Sequence, residues 1–224
     1  MKPSIISVFT GVLTLLVAAN PVLAISPKIN SSVTVAQSRA ANDNLIVPGV
    51  RVGAITRTTS KQDLVKLYGA SRLVDKTTPG AEGIGTNFTT EVKLGKERSL
   101  AIIWTDSTRT KPAEVEILGT AWKTPEGLGL GTSWNILRQK LGNFKLYGLA
   151  WDYSGTILLE SSRLSRYRDK LILRVNPTDN TYKKYPRQYR AVSGDSVFSS
   201  SNPNWQPLNP KVAKIIVILN PTQN

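Results

Sequence analysis

Asp152 stands between Trp151 and Tyr153, and Glu160 follows eight residues on. Two carboxylates flanking a bond are enough for glycoside hydrolysis, and aromatic rings beside them could stack on sugars. The same Asp152-Tyr153-Ser154-Gly155 stretch also places Asp first and Gly fourth, as a type I turn prefers. The turn is the favoured reading, with a catalytic or binding role for Asp152 and Trp151 kept as the alternative. A second group of residues is cationic. Arg163, Arg166, Arg168, Lys170 and Arg174 lead into Tyr182-Lys183-Lys184-Tyr185-Pro186-Arg187-Gln188-Tyr189-Arg190. On a strand, Arg166, Arg168, Lys170 and Arg174 would share one face, with Leu171, Leu173 and Val175 on the other. The ring-and-cation run that follows is suited to polyanions or glycans. A solvated basic edge that blocks strand-to-strand association is the competing account.

Composition removes most other chemistry. The 224 residues include no histidine and no cysteine, so His-based triads, His general bases, thiol nucleophiles, disulfides and thiolate metal sites are out. Neither S-x-x-K nor G-x-S-x-G occurs, which disfavours acyl transfer by serine. No calcium-loop pattern is present; Asp195 in VSGDS and Asp179-Asn180 read as turn residues. The GLGLGTS run before Trp134 matches no nucleotide-binding fingerprint and reads as a tight turn into a helix. The expectation is therefore a protein without cofactor or metal, and not an enzyme.

These residues need elements to hold them. Residues 1–24 have one early cation, an apolar run of roughly 15 residues and a Val22-Leu23-Ala24 end, the order of a cleaved secretory signal peptide. That predicts a periplasmic or secreted protein with no membrane span after cleavage. Residues 25–44 are Ser-, Asn- and Ala-rich and read as a flexible leader. Of the remainder, residues 25–127 hold 14 basic and 10 acidic residues and residues 128–224 hold 14 and 5. The positive excess thus lies in the C-terminal half, where an anionic envelope polymer, lipid or protein partner could meet it, with no specific nucleic-acid signature.

From Leu45 the chain shows one local pattern twice. TTSKQDLVKLYG has Ser60 as cap, Asp63 three residues later, apolar Leu64, Val65, Leu67 and Tyr68, and Gly69 as stop; GTSWNILRQKLG has Thr132 or Ser133 as cap, Trp134, Leu137 and Leu141 as face and Gly142 as stop. Aligning the two glycines superposes Thr59 on Thr132, Ser60 on Ser133 and Leu64 on Leu137. Each helix is followed by strand-like runs: Leu73–Lys76, Asn87–Leu94, Leu100–Thr105 and Ala113–Ile117, then Phe144–Asp152, Thr156–Glu160, Leu171–Val175 and Lys211–Leu219. Ile215 to Leu219 has no polar face, so a central strand covered on both sides is expected. The expected fold is α+β, with two tandem helix-plus-antiparallel-sheet units over residues 45–124 and 125–224 packed as one body. Trp104 and Trp134 belong to the core, and Trp205 staples a polar loop to the body.

The G-T-S helix, the L-Y-G strand, the W-D-Y hairpin and the later V-S-G-D-x-x-F-S-S segment resemble those of a group of uncharacterised exported bacterial proteins. The resemblance covers roughly residues 50–219 and implies export and architecture rather than an activity. Ser154 and Gly155 stand where that pattern has two glycines. In outline the plan is also similar to secreted beta-lactamase inhibitor proteins, an analogy of fold alone. The functional expectation is an exported, non-catalytic binding or structural module of the envelope. Its alternatives are a carboxylate glycosidase or a secreted enzyme inhibitor.

Overall fold

A computed structural model describes residues 43–79 and 85–221. The expected signal peptide and all but the last two leader residues lie outside them. All described residues fall in a single compact unit.

The described chain opens with a three-stranded antiparallel sheet of very short strands, β1 (Ile46–Val47), β2 (Arg51–Val52) and β3 (Ile55–Thr56). Helix α1 (Lys61–Tyr68) starts at Ser60, whose hydroxyl accepts from Asp63 N while Asp63 accepts from Ser60 N, a complete capping box. It buries Leu64 and Tyr68 and ends at Gly69. Four strands follow as a meander, β4 (Leu73–Pro79), β5 (Thr86–Val92), β6 (Leu100–Trp104) and β7 (Pro112–Ile117). Helix α2 (Trp134–Leu141) then buries Trp134, Leu137 and Leu141. After it come β8 (Lys145–Tyr147), β9 (Ile157–Leu158), β10 (Leu171–Asn176), α3 (Asp179–Lys184), α4 (Pro186–Ala191), β11 (Val197–Ser199), α5 (Trp205–Leu208) and β12 (Lys211–Ile218). The fold is α+β, as expected.

The main sheet has the order β10-β12-β7-β6-β5-β4, and a smaller one has β11-β8-β9. An antiparallel bridge from Thr156 to Arg174 links the two. Outward from the central β7–β12 pair, the chain order is thus β7, β6, β5, β4 on one side and β12, β10, β9, β8 on the other. The two helix starts also match in their hydrogen bonds. Thr59 Oγ1 accepts from Thr56 N at 2.9 Å, and Thr132 Oγ1 accepts from Gly129 N at 2.9 Å. They differ at the next residue, because Ser133 makes no side-chain cap bond.

Leu100, Ile102, Val115, Ile215, Val217 and Leu219 have no exposed surface or nearly none, and alternate with half-exposed neighbours. Strand β12 is central but covered on one face only. Ile216 and Ile218 remain half-exposed, opposite Glu116 and Glu114 on β7, because α1 and α2 supply apolar cover to one side. Trp134 meets Phe144 edge-on at 5.3 Å and Trp205 at 5.4 Å. Trp205 also donates from its indole to Ser199 O at 3.1 Å, which holds the polar loop to the body. Leu137, fully buried, contributes about 1.5–3 kcal/mol by leaving water.

Candidate functional site

The expected Phe144–Asp152 strand stops at Tyr147 because the chain leaves β9 there. Leu149 N donates to Val192 O at 2.8 Å and Gly194 N to Leu149 O at 2.9 Å, so the segment after α4 lies against the entry to the tryptophan turn. Ala150 then takes a φ of 77°, a left-handed conformation that costs an L residue about 1–2 kcal/mol. Its N–H is held by Ser154 Oγ at 3.0 Å. The turn that follows presents Trp151 at 61% and Tyr153 at 60% exposure, with the Tyr153 ring 5.2 Å from that of Tyr147.

The turn begins one residue earlier than its sequence suggests. Ser154 N donates to Trp151 O at 2.8 Å, whereas Gly155 N donates to Gly148 O at 3.1 Å and the Asp152 carbonyl accepts from Arg174 Nη1 at 2.8 Å. Gly155 is required here: its φ is 64°, and a Cβ would lie 2.0 Å from Val175 O on β10. Asp152 is exposed. Its backbone is what Arg174 holds.

The cationic residues do not form one strand face. Ser165–Tyr167 is a short 3₁₀ helix, Arg168, Asp169 and Lys170 form a turn with Asp169 at φ 58°, and of the four even-numbered cations only Arg174 lies in β10. Parity applies to strands alone, and the serines and Asp169 favour turns. Arg166 pairs with Glu126 and lies 4.6 Å over the Tyr167 ring, and Tyr167 donates to Glu126 at 2.9 Å. Burial alone would raise the Glu126 carboxyl, but hydrogen bonds from Thr124 and Tyr167 and the charge of Arg166 outweigh it and hold it below its ordinary value. Arg168 pairs with Asp169 at 3.1 Å, and Lys170 donates to Arg166 O at 3.2 Å. Arg163 lies elsewhere, beside the end of α2, where its N–H donates to Leu141 O at 2.9 Å.

What stays together is the tyrosine-bearing segment, as two short helices rather than a strand. Tyr185 joins them and Pro186 opens α4, where its missing N–H costs nothing. Tyr185 and Tyr189 are half-buried against the core, which fixes the segment. Lys183, Lys184, Arg187 and Arg190 are exposed, and among the described residues none has a carboxylate within 4.0 Å. Tyr182, 40% exposed, lies 5.8 Å from the Tyr189 ring, and Lys183 and Lys184 sit 6.0 and 5.3 Å over the Tyr182 and Tyr185 rings. Tyr147 was not singled out from sequence. Its pairing with Tyr153 comes from β8 folding back, and the two strand-like runs flanking the turn were the signal for it.

Among the described residues no group of three acidic side chains is placed to hold a metal ion, and no helix is long and apolar enough to cross a membrane. No protein-family model and no curated protein matches the chain. Among solved structures, it is similar to the crystal structure of the uncharacterized protein yfeY from Escherichia coli. Identity is 16% and TM-score 0.45, over 77% of this chain and 98% of that one.

Proposed function

We propose that the protein is an exported, non-catalytic binding module of the bacterial envelope that engages an anionic polymer through α3 and α4. The observation that carries this is the set of four exposed cations without carboxylate partners, Lys183, Lys184, Arg187 and Arg190, on a segment anchored by Tyr185 and Tyr189. Unpaired like charges on a fixed scaffold concentrate positive potential, and a polyanion gains by displacing its own counterions there. Rings under the lysines give the same surface an unscreened, stacking component. Trp151 and Tyr153 extend it, since the turn that carries them is tied to the end of α4 through Leu149 and Val192.

Arg166, Arg168 and Lys170 are structural in this account, because their charges are already met by Glu126, Asp169 and a backbone carbonyl. Asp152 is a turn residue at the margin of the binding surface. The apolar run before Ala24 and the resemblance to exported bacterial proteins support periplasmic or secreted placement. The mirrored strand order about β7 and β12 and the matched Thr59 and Thr132 bonds support two related units. A heparin-affinity column tests the central reading: wild type elutes at markedly higher salt than the K183E/K184E/R187E variant. Coelution overturns it.

A further inference from the structure

A different set of cations borders a cavity at the end of α2. The cavity, about 470 Å3, is lined by Asn135, Arg138, Gln139, Gly142, Asn143 and Arg163. It is an open depression rather than an enclosed chamber, with Asn135, Arg138, Gln139 and Asn143 exposed to solvent. Its lining holds two guanidiniums, three side-chain amides and no carboxylate. Neither Arg138 nor Arg163 pairs with an acid among the described residues, whereas Arg51, Arg109, Arg166 and Arg168 do.

Arg163 is held in position by backbone. Its N–H donates to Leu141 O at 2.9 Å, and its Nη1 reaches Gln139 O at 3.4 Å, the carbonyl end of α2, where a cation is favoured. Gly142 makes this approach available. Its φ is 72°, and a Cβ there would sit 3.0 Å from Arg163 Nε. A guanidinium has five donors, so most of those of Arg163 are left for a ligand. Arg138 comes from the exposed side of the helix, and Asn135 and Gln139, four residues apart, share that side. Two elements remote in sequence thus bring together groups of matched chemistry: planar cations for an oxyanion, and amides that both donate and accept for hydroxyls.

We infer that this cavity binds a hydroxylated monoanion, an acidic sugar unit, independently of the polymer surface on α3 and α4. The guanidiniums take the carboxylate, and Asn135, Gln139 and Asn143 take ring hydroxyls. An uncharged sugar lacks the first contact and an inorganic oxyanion lacks the second.

The test is a titration of the exported chain with D-glucuronate, D-glucose and inorganic phosphate, followed by the NMR signals of Asn135, Gln139 and Asn143. Glucuronate should shift all three, glucose and phosphate much less. Arg138→Gln, an exposed substitution, and Arg163→Gln should each weaken glucuronate about tenfold or more, the usual loss for a charge-assisted hydrogen bond. Thermal melting identifies any variant that is unfolded, and Arg138→Gln then decides alone. The K183E/K184E/R187E variant should bind glucuronate as wild type does, which keeps this site distinct from the polymer surface. Unshifted signals, glucose or phosphate binding as tightly as glucuronate, or an Arg138→Gln variant with undiminished affinity would each overturn the assignment.

Discussion

Arg174 Nη1 donates to the carbonyl oxygen of Asp152 at 2.8 Å, so strand β10 holds the turn that exposes Trp151 and Tyr153. A residue that reads from sequence as one more surface cation is instead a brace for an aromatic turn. The turn needs one, because Ala150 stands at a φ of 77° and Gly155 is pressed against Val175.

Replacing Arg174 by Gln should free that turn without unfolding the protein. A single hydrogen bond contributes about 0.5–1.5 kcal/mol net, so global stability should fall by about that much. The local effect should be larger. Amide exchange at Ser154 and Thr156, whose N–H groups close the turn, should speed severalfold, and unchanged rates would show that the brace is idle.

The two helix starts should respond differently to the same substitution. Ser60→Ala removes a hydroxyl that accepts from Asp63 N and should cost about 1 kcal/mol in urea unfolding. Ser133→Ala removes no side-chain cap bond and should cost clearly less. Equal losses would contradict the difference seen between the caps.

Much of this architecture was legible. Both helices, their serine starts and their glycine stops follow from local chemistry that tertiary contacts did not override. The apolar alternation at Ala113 to Ile117 likewise became a central strand. The site was legible only in part, since Tyr182 to Arg190 remained a basic, ring-bearing surface but as α3 and α4. Strand parity failed between Arg166 and Lys170 because Asp169 turns the chain there and because Glu126, forty residues earlier, neutralises Arg166. Nothing local announces a partner at that separation. The cavity beside α2 was missed for the same reason: Arg138 and Arg163 come to border one depression only once the chain after β9 returns to the helix end.

Stability should depend on pH in opposite senses at two carboxylates. Burial, with Glu116 nearby and Lys214 only partly offsetting, raises the Glu114 carboxyl above its ordinary value. Its folded form therefore favours the proton, and stability present at acid pH is lost as pH rises through the raised value. Glu114→Gln should melt higher than wild type at neutral pH, with the gain vanishing in acid. For Asp75, burial is outweighed by hydrogen bonds from Lys61 and Thr90 and by the charges of Arg109 and Lys61, so its carboxyl lies below its ordinary value. Its contribution is present above that ordinary value and lost as pH falls through the depressed one. Asp75→Asn should melt lower at neutral pH, with the deficit closing in acid. Melting curves that keep a constant offset across pH would contradict both assignments.

The most direct measurement of the central claim is the salt dependence of polyanion affinity. Wild type and a K183E/K184E/R187E variant are titrated with heparin-like, teichoic-acid-like and lipopolysaccharide ligands at two salt concentrations. For wild type, log affinity should fall with log salt by about 0.7–0.9 per cation engaged, by analogy with nucleic acids. The variant should bind severalfold more weakly, with a shallower slope and a nearly unchanged melting temperature, since exposed charges contribute little to folding. Equal affinities for the two proteins, or no binding of wild type to any of the three at low salt, would contradict the account.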